Sequence, residues 1–154
     1  MAEYYTRIKD KLSELEKYIS ELEMIIPKEF EDYEKDIIIK AACERYFEKI
    51  SEAIYDLCRF VIRHEGVEIK GNEIETIFKL DVIDEEFKLK LKNIKAMRNF
   101  IIHQYEKTDD SVMYESLKKQ LIKDSKEFAN IIKEYLEAKK NTCEPDTEQH
   151  SDVG

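Results

Sequence analysis

The stretch MRNFIIHQY, residues Met97–Tyr105, stands where a long helical pattern ends, and the rest of the chain is interpreted from it. Apolar residues before and inside this stretch recur at the spacing of one helix face: Phe87, Leu91, Ile94 and Ile101. At about 100° per residue, Arg98 points within roughly 20–60° of that face. A side chain that stays charged in proteins therefore lies where the pattern predicts core. Because an unpaired buried guanidinium is unfavourable, Arg98 needs an acidic partner, a water-filled groove or a bound anion.

The composition favours long helices in one domain. The chain has 154 residues, of which 40% are charged and 42% hydrophobic, with only three glycines and two prolines. So few turn-forming residues predict an all-α fold rather than a sheet, and the length suffices for a core without disulfides. Cys43, Cys58 and Cys143 show neither metal-ligand spacing nor a disulfide framework, and the first two are expected in the core.

No apolar run approaches the roughly 18 residues of a membrane span, and the N-terminus lacks the pattern of a signal peptide, so a cytoplasmic location is expected. The net charge of −9 disfavours non-specific binding to nucleic acid. Between Lys88 and Arg98, however, there are five basic residues and no acidic one. This run is either a solvated helix face or the local positive patch that an acidic RNA-binding protein needs.

Hydrophobic periodicity predicts an up-and-down bundle of four main helices and one short helix. The first main helix covers residues 3–26, and Pro27 either ends it or opens the next element. The second covers residues 30–64 and stops at Gly66. The apolar arc of the second helix is broad, which is typical of a central helix that touches neighbours on two sides.

Polar capping residues mark the remaining helices. The short helix runs from the cap Asn72 to about residue 80, with Glu75 placed as in a capping box. Asp84 is expected to cap the third main helix, which carries Arg98. One of residues 109–111 caps the fourth, which ends near residue 139. Residues 1–140 are therefore expected to form one helical domain, and the polar residues 141–154 a disordered tail.

Arg98, His103 and Tyr105 are spaced as in the Arg-x4-His-x-Tyr signature of the HEPN superfamily, and Asn99 after the arginine also fits. More closely, the sequence resembles the HepT toxins, which pair with minimal nucleotidyltransferase (MNT) antitoxins. The run from Ala42 to Ile50, followed by Asp56, resembles the long second helix of these proteins. The resemblance covers roughly residues 5–137.

This resemblance implies a HEPN-like homodimer that is the toxin of a HEPN–MNT pair and cleaves RNA without a metal or other cofactor. It implies acid–base work for His103, phosphate binding for Arg98 and a supporting role for Asn99. Tyr105 would be the residue to which the partner nucleotidyltransferase adds AMP. Histidine suits the first role because its pKa lies near neutrality, and arginine suits the second because its guanidinium binds phosphate with two parallel hydrogen bonds.

On a continuous helix, Arg98 and His103 would point about 140° apart. They can share a site if the helix ends near Ile102, or if two copies pair across a symmetry axis, as HEPN proteins are known to do. Alternatively, His103 is only a helix C-terminal residue favoured by the helix dipole. That simpler interpretation is preferred for His64, and His150 is given no role.

Other classes of protein fit less well. The sequence has no Gly-rich phosphate loop, and it has no Glu-x-x-His motif of the kind that holds iron in ferritin-like bundles. One alternative from a different class stays open: a catalytically silent HEPN subunit that binds and regulates a nucleotidyltransferase. It would share every helix with the toxin, so only ribonuclease activity separates the two.

Overall fold

The computed structural model describes the backbone of residues 2–103 and 109–153 and the side chains of residues 3–103 and 109–140. Within these ranges the chain is helical and contains no β-strand, which confirms the all-α prediction. The elements are α1 (Ala2–Ile25), α2 (Phe30–Glu34), α3 (Ile37–His64), α4 (Glu73–Lys79), α5 (Glu85–His103), α6 (Asp110–Glu115), a π-helical segment (Ser116–Leu121) and α7 (Ile122–Val153).

Helix α3 lies at the centre, as its broad apolar arc predicts. It packs against α1, α2, α4, α5, the π-helical segment and α7. Its buried side chains face these neighbours on more than one side, and Cys43 and Cys58 are among them. Burial raises the pKa of the Cys43 thiol to about 11 and that of the Cys58 thiol to about 12. Both cysteines are therefore neutral core residues, as expected.

The prediction of a single helix over residues 30–64 is wrong, because this segment divides into α2 and α3. Tyr33 of α2 is fully buried, which fixes the short helix against the core. After a break, Asp36 Oδ1 accepts hydrogen bonds from the backbone N–H groups of Ile38 and Ile39, each at 3.1 Å, and so caps α3. Ile37 and Ile38, directly after the break, are exposed, so the apolar residues of the sequence do not form one continuous core face here.

The predicted caps of the later helices are confirmed. Asn72 Oδ1 accepts from the backbone N–H of Glu75 at 2.9 Å, and Asp84 Oδ1 accepts from that of Phe87 at 2.8 Å. Asp109, one of the three candidates for the last cap, accepts from the backbone N–H of Ser111 at 2.9 Å. Each cap satisfies an amide that has no partner inside its own helix.

The fourth predicted helix is divided into α6, the π-helical segment and α7. A π-helical turn holds more residues than an α-helical turn, so it changes which residues face the core. Asp124 and Ser125 interrupt the apolar pattern of the sequence, yet both are buried just after this segment. Helix α7 extends past residue 140, the predicted limit of the domain, and the disordered tail at 141–154 stays a prediction.

Among the described residues, no helix combines the length and the apolar character that a membrane span requires.

Candidate functional site

Helix α5 carries both predicted catalytic residues. It runs without interruption from Glu85 to His103, so Arg98 and His103 belong to one helix. At about 100° per residue, their side chains leave that helix in directions about 140° apart. The helix ends at His103, one residue past Ile102, so both residues still lie on its continuous part. A site that uses both side chains needs another way to bring them together.

Arg98 lies on the side of α5 that faces α3. Its side chain is 27% exposed, and its Nη2 atom lies 3.7 Å from Oε1 of Glu52. This distance is too long for a hydrogen bond, so the contact is a loose ion pair. The Nε atom of Arg98 is buried and has no hydrogen-bond partner among the described residues. The core-facing guanidinium thus has an acidic neighbour, Glu52, but that carboxylate is too far away to accept a hydrogen bond from it.

Tyr55 is a third member of this site and was not predicted. It follows Glu52 by three residues, so the two side chains lie on the same face of α3. The Tyr55 hydroxyl is buried and, within the described part of the chain, also lacks a hydrogen-bond partner. Burial raises the pKa of the phenol above its usual range, and the positive charge of Arg98 opposes that rise in part. The sequence carries no signal for Tyr55, because Arg98 is on another helix.

His103 ends an exposed stripe on the opposite side of α5. The stripe follows the 4-3-4-3 spacing of one helix face, and its described members are all exposed: Leu89, Asn93, Ala96, Phe100 and His103. Leu89 is 60% exposed and Phe100 is 53% exposed. Large apolar side chains that recur along one solvent-facing stripe are typical of a surface that another molecule covers.

The structure says less about the two remaining predicted site residues, Asn99 and Tyr105. Asn99 is exposed on α5, beside Arg98 in the sequence. Tyr105 lies outside the described residues, so its proposed role rests on the sequence motif alone. In the described part of the chain, no cluster of three or more His, Cys, Asp and Glu side chains has an arrangement that could hold a metal ion.

The basic run of α5 is largely neutralised by acidic side chains of other helices. Lys88 and Lys92 both bind the carboxylate of Glu75 on α4, each at 3.1 Å, and these hydrogen bonds lower the pKa of Glu75. Lys90 binds Glu127 on α7 at 2.9 Å. These pairs favour the interpretation of the run as a solvated, structural face rather than as a continuous RNA-binding patch.

Asp56 takes part in an ion-pair network at the edge of this region. Arg59 Nη2 donates to Asp56 Oδ1 at 2.6 Å, and Lys11 Nζ lies 3.3 Å from Asp56 Oδ2. Arg59 also donates to Glu73 at 3.3 Å. The network therefore ties α3 to α1 and to the start of α4, and it is distinct from the Arg98 contacts.

Comparisons with known proteins agree with this architecture. The crystal structure of a toxin–antitoxin complex with AMP-PNP and that of the tri-AMPylated Shewanella oneidensis HEPN toxin in complex with MNT antitoxin each have a TM-score of 0.72 and 16% identity, covering 82% of this chain and 96% of the other. YutE, a cytosolic protein of unknown function from Bacillus subtilis, has a TM-score of 0.71 and 20% identity, covering 87% and 91%. At such identities the likeness shows the fold alone.

No curated protein matches the sequence. The model of the family described as "Ribonuclease HepT-like", however, matches residues 15–136, which is most of the chain and includes Arg98, Asn99, His103 and Tyr105. The resemblance that begins with the Arg-x4-His-x-Tyr motif is thereby confirmed, and the protein belongs to the HepT-like ribonuclease family.

Proposed function

We propose that the protein is the toxin of a HEPN–MNT toxin–antitoxin pair and that it cleaves single-stranded RNA without a metal ion. One observation carries this proposal. Arg98 is a largely covered cation whose Nε has no hydrogen-bond partner in the described structure, and it shares α5 with the exposed His103. A guanidinium that the protein itself leaves unsatisfied is suited to bind an anionic substrate.

The chemistry requires three groups. A base removes the proton from the ribose 2′-hydroxyl, whose oxygen attacks the adjacent phosphorus. The bond to the 5′ oxygen of the next nucleotide breaks, and an acid protonates that leaving oxygen. Arg98 stabilises the negative charge on the phosphate, and His103 supplies the acid or base, with Asn99 in support. The products are a cyclic 2′,3′-phosphate and a 5′-hydroxyl end.

A second copy of the chain would place its own His103 beside that of the first, so that one histidine can act as base and the other as acid. Arg98 and His103 of one chain point about 140° apart, so one copy does not direct both at the same phosphate. The exposed stripe that contains Leu89 and Phe100 also contains His103. Pairing two chains through this stripe would cover its apolar residues and bring two α5 helices to a common axis. The active form is therefore a C2 homodimer.

The partner of this toxin is an MNT nucleotidyltransferase that modifies Tyr105 with AMP. Tyr105 follows His103 by two residues in the sequence. The added group carries a phosphodiester anion, which would compete with the RNA phosphate for Arg98, and its bulk would obstruct the cleft. Modification would silence the enzyme without unfolding it.

One observation favours the alternative of a catalytically silent subunit that only binds and regulates the nucleotidyltransferase. Three of the five basic residues of the α5 run are engaged by Glu75 and Glu127, which reduces the positive surface available to RNA. The two functions differ in one property, the ability of the purified protein to cut RNA.

The deciding experiment is cleavage of single-stranded RNA in the presence of EDTA. The parent protein should leave cyclic phosphate ends. His103→Ala should lose a factor on the order of 10²–10⁴ in rate, the range expected for a general acid or base. The matched control is His64→Ala, since His64 also ends a helix, and its ring contacts Tyr135 of α7. If His103→Ala cleaves as fast as the parent, the catalytic assignment is wrong, and a parent that cuts no RNA supports the silent subunit.

A further inference from the structure

Arg98 and Tyr55 each have a buried polar atom without a hydrogen-bond partner among the described residues. The Nε–H of Arg98 can only donate a hydrogen bond, whereas the Tyr55 hydroxyl can accept one as well as donate. Both atoms are buried, and neither has a hydrogen-bond partner among the described residues. Glu52, whose Oε1 lies 3.7 Å from Nη2 of Arg98, precedes Tyr55 by three residues on the same face of α3, so the phenol lies one helical turn from the contact that α3 makes with Arg98. A donor and a complementary acceptor, both without a partner and both beside the same turn of α3, can satisfy each other if the guanidinium turns.

The present position of the guanidinium is held only weakly. Its one ionic contact is the loose pair with Glu52, a side chain that is 51% exposed. Exposed pairs of this kind contribute little, since water competes for both charges. A carboxylate, moreover, offers arginine the same kind of paired oxygens as a phosphate does. Glu52 therefore occupies one direction from which a phosphate could approach Arg98.

We propose that Tyr55 is a positioning residue for Arg98 and that Glu52 holds the place of the substrate phosphate in the free protein. When RNA binds, its phosphate displaces Glu52 toward solvent. The guanidinium then turns so that Nε–H donates to the Tyr55 hydroxyl oxygen, and both Nη groups face the phosphate oxygens. This inference rests on the proposed function, because it names how the same arginine receives its substrate.

The arrangement explains two features together. A tyrosine hydroxyl without a partner is unfavourable in the free protein, but it becomes satisfied in the complex. The phenol stays neutral, since burial disfavours its charged form, and a neutral hydroxyl can accept from the guanidinium without adding a negative charge that would repel phosphate. Tyr55 thus acts through Arg98 and does not touch the reacting atoms.

The test measures RNA binding apart from cleavage. The probe is a fluorescent single-stranded RNA in which every ribose is 2′-O-methylated, which removes the attacking hydroxyl, and binding is followed by anisotropy. Glu52→Gln should tighten binding about twofold to fivefold, the range expected when a weak competing ion pair is removed. Tyr55→Phe should weaken binding about tenfold, as expected for loss of a hydrogen bond to a charged group. In an Arg98→Ala background, Tyr55→Phe should have no further effect.

Two variants serve as matched controls. Glu48→Gln makes the same change of charge one turn earlier on α3, where the carboxylate pairs with Arg45. Tyr135→Phe removes a hydroxyl that donates to Glu65. Neither should alter RNA binding. Without RNA, Tyr55→Phe should melt at the same temperature as the parent or higher, because it removes a buried hydroxyl that has no partner, whereas Tyr135→Phe should melt lower.

The inference is overturned if the parent does not bind the probe, if Tyr55→Phe binds like the parent, or if Glu48→Gln tightens binding as much as Glu52→Gln. Its failure is distinguishable from failure of the proposed function. If the variants bind the probe in the expected pattern but the parent cuts no natural RNA, the roles of Tyr55 and Glu52 stand and the proposed ribonuclease activity is refuted. If the parent cuts RNA through His103 but Tyr55→Phe binds the probe as tightly as the parent does, only the role of Tyr55 is refuted.

Discussion

Lys90 on α5 and Glu127 on α7 form an ion pair, with 2.9 Å between Nζ and Oε2. Together with the double pairing of Glu75 by Lys88 and Lys92, this contact engages most of the lysines that the sequence places before Arg98. A run of positive charge in the sequence is therefore not a run of free positive charge on the surface.

The first prediction concerns the salt dependence of RNA binding. If only about two phosphates are neutralised by free cations, the slope of log K against log salt for single-stranded RNA should be about −1.4. Affinity should then fall roughly sevenfold between 50 and 200 mM salt. Anisotropy titrations at several salt concentrations measure this slope. Glu127→Gln, which frees Lys90, should steepen it, and a loss of about a thousandfold in the parent would contradict the pairing described for α5.

The second prediction concerns assembly. A C2 dimer that covers the exposed stripe of α5 should be present at micromolar concentration, and light scattering checks its mass. Phe100→Lys places a charge within the stripe and should yield a monomer of unchanged helicity. The matched control is Met24→Lys, which changes an exposed apolar residue on α1 and should leave the dimer intact. A parent protein that is monomeric at this concentration would refute the two-chain site.

The third prediction concerns modification. Co-expression with the partner nucleotidyltransferase should increase the mass of the protein by one or more AMP units, which intact-protein mass spectrometry detects. Tyr105→Phe should abolish the increase, and its ribonuclease activity should escape inhibition by the partner. Tyr4→Phe, a change of another tyrosine, should be modified like the parent. Full inhibition with an unmodified Tyr105 would mean that the partner acts by occlusion instead.

The fourth prediction concerns Asp124, which is 9% exposed. Burial raises the pKa of its carboxyl, and the positive charge of Lys90 opposes that rise only in part. The folded protein therefore binds this proton more tightly than the unfolded chain does. As the pH rises from the ordinary pKa of an aspartate through the raised pKa of Asp124, the contribution of this residue to the free energy of unfolding becomes unfavourable.

Replacement of this carboxylate should accordingly stabilise the protein. Asp124→Asn should raise the Tm at pH 7 by about 2–4 °C, the shift that about 1 kcal/mol produces in a domain of this size, with little change at pH 3. Asp56→Asn is the matched control. It should lower the Tm at pH 7, because Asp56 binds both Arg59 and Lys11. Thermal unfolding followed by circular dichroism at the two pH values compares the variants, and a drop in Tm for Asp124→Asn would show that its charge is stabilising.

Local features were predictable from the sequence because their causes lie a few residues apart. Asn72 and Asp84 cap helices by bonding amides three residues later, so both partners stand in the same short stretch. The apolar arc of α3 likewise follows from helix periodicity alone. The break between α2 and α3 was missed, although its signal is also local, since Asp36 caps α3 by bonding amides two and three residues later.

The candidate site also combines features that the sequence predicts with features that depend on how the helices pack. By itself, the sequence determined the helical class, the family motif and the conflict of a charged Arg98 on an apolar face. Only the tertiary structure decided that Glu52 of α3 is the acidic neighbour of Arg98, that the Tyr55 hydroxyl one turn away has no partner among the described residues, and that Glu75 and Glu127 pair with three of the lysines of α5. The physical reason is that periodicity fixes the direction in which a side chain leaves its own helix, whereas its partners depend on how separate helices pack.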